Sequence, residues 1–172
     1  GVDSISLDES RQELPLVQTE ELEDADSDMY LQEHIKGAKM LIVEDNESLR
    51  DMLVGIFEPF YEILTAADGE EGWEKVNAEM PNIVLSDIVM PKMTGTELCK
   101  NIKSNIETCH IPVVLLTARA SVEYNIEGLR IGADDYIAKP FNVSILISRC
   151  NNLVNSRIVL QEKFSKQPQV TP

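Results

Sequence analysis

From residue 39 onward, apolar and polar positions alternate between two patterns: short continuous apolar runs, and longer stretches with apolar residues three or four apart. The first pattern is typical of strands that are buried on both faces, and the second of amphipathic helices. The apolar runs predict five strands, at residues 39–43, 61–66, 83–85, 112–116 and 135–138. The chain is therefore expected to alternate strand with helix.

Helices are predicted between these strands, with capping residues at their starts. Residues 45–46 can cap the first helix, which Pro59 closes, and residues 68–69 cap the second. The inward-facing residues are predicted to be Leu49, Met52, Leu53, Ile56 and Phe57 in the first helix, Trp73 and Val76 in the second, Leu98, Cys99 and Ile102 in the third, Val122, Ile126 and Leu129 in the fourth, and Leu146, Cys150, Leu153 and Val154 in the last, which begins near Asn142 and runs beyond Arg157.

Five strand–helix repeats with continuously apolar strands indicate a parallel sheet that is covered by helices on both faces. A length of about 125 residues suits a flavodoxin-like, doubly wound α/β domain with five parallel strands in the order 2-1-3-4-5. In such folds the working groups lie just beyond the carboxyl ends of the strands. The functional groups are therefore expected at those ends.

Charge and composition divide the chain into three parts. Residues 1–36 carry 11 of the acids and 2 of the bases, so they hold −9 of the net charge of −15. They are predicted to form a largely disordered acidic linker, because they lack sustained apolar periodicity. Residues 37–160 are predicted to form the folded domain, and residues 161–172 a tail that continues the last helix toward a further module. So acidic a surface repels phosphodiester backbones, which argues against direct nucleic-acid contact.

The cysteines and the apolar runs limit the class of protein further. Cys99, Cys109 and Cys150 are scattered and form no Cys-x-x-Cys pair, which indicates reduced thiols and no structural metal site of the cysteine type. No apolar run is long enough to cross a bilayer, and no secretory leader opens the chain. We therefore expect a cytoplasmic location and no membrane contact by this chain.

Polar residues with complementary chemistry end four of the predicted strands. Glu44 and Asp45 follow the first strand, Asp87 the third, Thr117 the fourth and Lys139 the fifth. With a strand order of 2-1-3-4-5 these ends share one crevice. Three carboxylates in close contact repel one another unless a cation lies between them, and an all-oxygen ligand set selects Mg²⁺.

This crevice contains the parts that phosphoryl transfer needs. Asp87 can act as a carboxylate nucleophile, Lys139 can neutralise a phosphoryl oxygen, and the Thr117 hydroxyl can donate a hydrogen bond to another. Taken singly, each residue has a plainer explanation as a helix cap, a turn residue or a surface side chain. The agreement of four strand ends on one chemistry favours the functional interpretation.

The chain resembles the receiver (CheY-like) domain of two-component response regulators. Four segments carry the resemblance and span about three quarters of the chain. They are LIVEDN (41–46), LSDIVMPKMTG (85–95), LLTARA (115–120) and GADDYIAKPF (132–141). A flavodoxin would need a Ser/Thr/Gly-rich loop after the first strand, and a haloacid-dehalogenase-like phosphatase would need a second Asp where this chain has Val89.

The resemblance implies a role for each site residue. Asp87 matches the phosphoacceptor and a metal ligand, Asp45 a direct Mg²⁺ ligand, and Glu44 the neighbouring acid, which often acts through water. The position of Val89 supplies a backbone carbonyl to the metal. The remaining matches are Thr117 and Lys139 as phosphate-binding residues, Tyr136 as the switch aromatic residue, and Pro140 as the second residue of a cis peptide bond.

The resemblance also implies a mechanism. Phosphorylated Asp87 would draw Thr117 and Lys139 inward, and Tyr136 would follow, which would remodel the face made by the fourth helix, the fifth strand and the last helix. A histidine kinase would donate the phosphoryl group, and a downstream output domain, most simply a transcription regulator, would respond. The flanking segments resemble those of a hybrid sensor histidine kinase, which can itself be membrane-anchored.

Two other functions remain open from the sequence. The domain could dock partners without phosphorylation, although such degenerate modules usually lose an acid, the Thr or the Lys. A free-standing phosphohydrolase would need loop insertions for substrate specificity, which this chain lacks. A receiver catalyses only its own phosphorylation and dephosphorylation, so we do not expect an enzyme with a separate turnover substrate.

Overall fold

The computed structural model describes residues 37–118 and 132–166, which form a five-stranded parallel sheet with the strand order β2-β1-β3-β4-β5. The predicted fold class and strand order are confirmed. The strands are β1 (Lys39–Val43), β2 (Glu62–Ala66), β3 (Ile83–Asp87), β4 (Val113–Ala118) and β5 (Asp135–Lys139).

Four helices are described, and side-chain caps set the starts of the first three. They are α1 (Glu47–Phe57), α2 (Gly69–Glu79), α3 (Gly95–Ser104) and α4 (Val143–Lys166). Asn46, Asp68 and Thr94 each accept a hydrogen bond from a backbone N–H of the first turn, which satisfies a donor that the helix itself leaves free. The predicted fourth helix, with Val122, Ile126 and Leu129, lies outside the described residues, as do residues 1–36 and 167–172.

The sheet divides the core into two apolar clusters because successive side chains of a strand point to opposite faces. On β1, Met40 and Ile42 pack on the side of α1 and α4, while Leu41 and Val43 pack on the side of α2 and α3. All four are essentially inaccessible to solvent. Burial on both faces explains the unbroken apolar runs of the sequence.

Most of the predicted inward-facing residues are buried or half-buried, but Met52 is not. Its side chain is 47% exposed, whereas Leu53 and Phe57 are buried. At 100° per residue, Met52 projects roughly 120° away from the direction midway between those two side chains. The apolar stripe of α1 is thus wider than the surface that it buries.

The register of the sheet brings the polar strand ends to one edge. Val43 pairs with Ser86, Asp87 with Leu116, and Thr117 with Ala138. β3 continues two residues past its predicted end, so Asp87 is the last residue of the strand and not part of a loop. No helix among residues 37–118 and 132–166 is long and apolar enough to span a membrane.

Candidate functional site

Three carboxylates meet at the carboxyl edge of the sheet, as predicted. Glu44, Asp45 and Asp87 each offer a carboxylate oxygen within 4.8 Å of the others, and we call these three residues the acidic cluster. Glu44 and Asp87 are buried and Asp45 is exposed. The cluster therefore opens to solvent on one side.

Glu44 is the most deeply placed carboxylate of the cluster. Its Oε2 accepts a 3.0 Å hydrogen bond from the backbone N–H of Asn46, whereas its buried Oε1 accepts none from the described residues. Burial, with a further contribution from Asp87, raises the pKa of Glu44 from 4.5 to about 7. An orphaned buried oxygen and a carboxylate that is costly to ionise fit a site that binds a cation.

The two carboxylate oxygens of Asp87 differ in their surroundings. Oδ1 accepts a 2.9 Å hydrogen bond from the backbone N–H of Ile88 and lies 3.1 Å from the Nζ of Lys139. Oδ2 accepts no hydrogen bond from a residue that the structure describes. Oδ1 is thereby held in place, and Oδ2 is the oxygen free to take a new bond.

Lys139 supplies the positive charge that was predicted beside the three carboxylates. Its ammonium offsets one of the three negative charges of the acidic cluster, which leaves two charges for a hard divalent ion to balance. The Lys139–Pro140 peptide bond is cis. The ligand chemistry and the charge of this site therefore suit Mg²⁺.

The other predicted site residues lie around this edge. Thr117 is buried, and within residues 37–118 and 132–166 its hydroxyl makes only a long 3.4 Å hydrogen bond to the carbonyl of Ala118. Val89 lies in the loop after β3 with its side chain 78% exposed. Tyr136 is half-buried, and its hydroxyl has no hydrogen-bond partner among residues 37–118 and 132–166. Burial raises its pKa, with a smaller contribution from Cys99.

Two residues that sequence reasoning missed support the site from behind. The buried Ser86 hydroxyl donates a 2.8 Å hydrogen bond to the carbonyl of Asp87. Nη1 of Arg50 donates a 2.8 Å hydrogen bond to the carbonyl of Glu44. A hydroxyl within an otherwise apolar strand was a visible signal for Ser86. The sequence carried no comparable signal for Arg50, because an arginine on an amphipathic helix is common.

Comparison with known proteins decides the family. The family model described as the response regulator receiver domain matches residues 40–151. This chain belongs to the receiver family. Receiver domains are phosphoryl-accepting signalling modules and not classical enzymes, and they bind Mg²⁺ at an acidic site.

Relatives of this receiver occur in both kinases and regulators. It is 45% identical over 133 residues to Histidine kinase P4 of Formosa agariphila, covering 77% of this chain and 10% of the kinase. It is 39% identical over 121 residues to a probable transcriptional regulator, ycf27, of Cyanophora paradoxa, covering 70% of this chain and 49% of the regulator. The receiver thus spans about a tenth of the length of the kinase and about half of the length of the regulator.

Among solved structures, the receiver resembles chemotaxis protein CheY4 of Vibrio cholerae. The two are 34% identical with a TM-score of 0.63, and the match covers 68% of this chain and 98% of CheY4. The predicted CheY-like fold is confirmed by this similarity together with the observed strand order.

Proposed function

We propose that this receiver is a phosphorylation-dependent switch in which Asp87 accepts a phosphoryl group from a histidine kinase. The observation that carries the proposal is the acidic cluster with Lys139 bound to one oxygen of Asp87 and the other oxygen open. In the transfer, Oδ2 of Asp87 forms a bond to phosphorus while the bond from phosphorus to the donor's imidazole nitrogen breaks. The imidazole leaves with the electron pair and takes a proton from solvent.

Mg²⁺ would be held by the carboxylates of Glu44, Asp45 and Asp87 and by the backbone carbonyl of Val89. The ion supplies neutralisation of the charge on the phosphoryl oxygens. Lys139 shares that task from its position beside Asp87, and we propose that the Thr117 hydroxyl donates a hydrogen bond to a phosphoryl oxygen. Burial of Thr117 beside the sheet edge supports this role, because its buried hydroxyl makes only a long hydrogen bond with the described residues and would gain a stronger one.

The response would be a shift between two states of the domain. Thr117 and Lys139 would move toward the phosphoryl group, and Tyr136, whose hydroxyl has no described partner, would follow into the vacated space. The face remodelled in this way comprises the predicted fourth helix, β5 and α4. Through it the receiver would control a linked output domain, and the similarity to a probable transcriptional regulator favours control of transcription.

We infer that the full protein is a hybrid sensor histidine kinase that acts with this receiver in the cytoplasm. The 45% identity to a segment of Histidine kinase P4 supports this assignment, and it allows the phosphodonor to lie in the same polypeptide. The domain boundaries at residues 36 and 160 remain predictions. The acidity of the chain supports our expectation that it makes no direct contact with nucleic acid.

Intact-mass measurement after incubation with MgCl₂ and acetyl phosphate tests the switch chemistry. The parent should gain one base-labile phosphoryl group, and Asp87→Asn should gain none. Asp51→Asn, which changes an exposed acid of α1 outside the acidic cluster, is the matched control and should behave as the parent. A parent that binds Mg²⁺ but is phosphorylated by neither acetyl phosphate nor a phosphohistidine donor would instead support a docking module that works without phosphorylation.

A further inference from the structure

We propose that Arg50 is a positioning residue for the metal site, because its guanidinium holds the turn that carries Glu44 and Asp45. The inference rests on the proposed Mg²⁺ site and adds a residue that the site itself does not contain. Arg50 lies in the first turn of α1, and its half-buried side chain reaches back to donate a 2.8 Å hydrogen bond to the carbonyl of Glu44.

Several hydrogen bonds hold the turn between β1 and α1, in addition to the one that Arg50 donates. The N–H of Glu44 donates to the carbonyl of Ala66 over 3.0 Å, and the N–H of Asn46 donates to Glu44 Oε2 over 3.0 Å. The Asn46 side chain in turn accepts the N–H of Leu49. Residues on both sides of Asp45 are thus fixed, so the backbone from which the exposed Asp45 carboxylate projects is fixed too.

Arg50 acts through this hydrogen bond rather than through its charge. It forms no salt bridge with a carboxylate of residues 37–118 or 132–166. Without the guanidinium, the Glu44 carbonyl would lose its charged donor and the turn would gain freedom that metal binding must remove.

The two possible roles of Arg50 predict opposite changes in metal affinity. A cation near a metal site opposes metal binding, so if charge were its contribution, Arg50→Met would bind Mg²⁺ more tightly than the parent. If Arg50 positions the turn, Arg50→Met should bind Mg²⁺ about tenfold more weakly, as is typical when a group that orients metal ligands is removed. The sign of the change therefore distinguishes the roles.

Calorimetric titration with MgCl₂ measures this change, with Arg157→Met as the matched control. Arg157 pairs with Asp134 beside the start of β5, at the opposite end of the strand from Lys139, so its loss changes the net charge equally without touching the turn. Arg157→Met should bind Mg²⁺ within about twofold of the parent. Urea unfolding without metal reports whether Arg50→Met is folded, and it separates general destabilisation from loss of positioning.

Arg50→Lys and the phosphorylation rate give two further readouts. Lys keeps the charge and can donate one hydrogen bond from a shorter reach, so it should bind Mg²⁺ with an affinity between those of Arg50→Met and the parent. If Arg50→Met does not fold, a Mg²⁺ affinity of Arg50→Lys below that of the parent is by itself enough to support the inference. At saturating Mg²⁺, both variants should be phosphorylated by acetyl phosphate within about twofold of the parent rate, because the defect lies in metal affinity.

The outcomes separate this inference from the proposed function. A parent that binds no Mg²⁺ overturns both. A parent that binds Mg²⁺ while Arg50→Met and Arg50→Lys bind it equally or more tightly overturns only the positioning role of Arg50.

Discussion

The hydroxyl of Tyr61 donates a 2.6 Å hydrogen bond to Oδ1 of Asn151, and both side chains are buried. The bond joins the residue just before β2 to the first half of α4, across 90 residues of sequence. Burial also raises the pKa of Tyr61 well above its usual value. Both groups are polar and shielded from water, so each depends on the other for its hydrogen bond.

Tyr61→Phe should destabilise the domain by about 1–3 kcal/mol, because it leaves the buried amide oxygen of Asn151 without a donor. The urea midpoint measures the loss. Replacing both partners, as Tyr61→Phe with Asn151→Leu, should recover part of the stability, since no polar group is then stranded. A double variant less stable than the sum of the two single changes would contradict this account.

Lys139→Met should raise Mg²⁺ affinity and slow phosphorylation. Removal of the ammonium 3.1 Å from Asp87 takes away a competing cation, so the acidic cluster should attract Mg²⁺ several-fold more strongly. Phosphorylation by acetyl phosphate should slow by about 100-fold, because a fixed positive charge facing the phosphoryl oxygens is lost. Calorimetry and initial rates measure the two effects.

Lys92→Met is the control for this change, since Lys92 is largely exposed and lies 3.7 Å from Asp68 rather than beside Asp87. It should leave Mg²⁺ affinity and phosphorylation rate nearly unchanged. Weaker Mg²⁺ binding by Lys139→Met would show that the lysine organises the acidic cluster rather than competing with the ion.

Gly95→Ala and Gly55→Ala should change stability in opposite directions. A Cβ on Gly95 would clash with the carbonyl oxygen of Asp87, so the loop after β3 could not close as it does. Gly55 is exposed within α1, with nothing near the position of its Cβ. Thermal unfolding should show Gly55→Ala stabilised by about 1 kcal/mol, as expected for Gly→Ala within a helix.

For Gly95→Ala we expect lower stability and loss of Mg²⁺ binding, because the backbone of Asp87 must shift. If Gly95→Ala were as stable as the parent and bound Mg²⁺ equally well, the close approach of Gly95 to Asp87 would be refuted.

Stability should fall above pH 9 because buried thiols must ionise on unfolding. Burial raises the pKa of Cys99 from 9.0 to about 11 and raises that of Cys150 further above its ordinary value. The folded state therefore holds these protons more tightly than the unfolded state. Their contribution to stability is complete below pH 9 and is lost as the pH rises toward the folded pKa values.

As the pH rises from 8 to 10, ionisation of each of these thiols in the unfolded state should lower the free energy of unfolding by about 1.4 kcal/mol. Urea titration at each pH measures this change. Cys150→Ala should show a shallower decline than the parent. Cys109→Ala, which alters an exposed thiol, should leave the decline as it is. A parent whose stability is flat from pH 8 to pH 10 would contradict this prediction.

The sequence was sufficient to predict the sheet order and the acidic cluster for one physical reason. Parallel strands align their carboxyl ends, so residues that follow separate strands become neighbours without any knowledge of side-chain packing. Glu44, Asp87 and Lys139 were found in this way. The cluster was predictable because topology alone brings its members together.

Features that depend on three-dimensional packing were not predictable. Met52 shares the helical spacing of its apolar neighbours but faces outward, because the width of the surface that α1 buries is set by the sheet and by α4. The orphaned Oε1 of Glu44 and the reach of Arg50 to the Glu44 carbonyl depend on rotamers that no spacing rule specifies. These details decide how the site is held.

The final helix is long enough to turn a small rotation at its start into a larger displacement at its end. α4 begins at Val143, a few residues after Lys139, and its 24 residues extend over ~36 Å. Its apolar side chains pack on the core as far as Ile158, and residues 160–163 are exposed. A tilt of about 5° at the first turn displaces the far end by about 3 Å, which is as large as the helix shifts that switch other proteins. We therefore expect a small movement beside Asp87 to be enlarged at the far end of α4, which would then act as a lever arm.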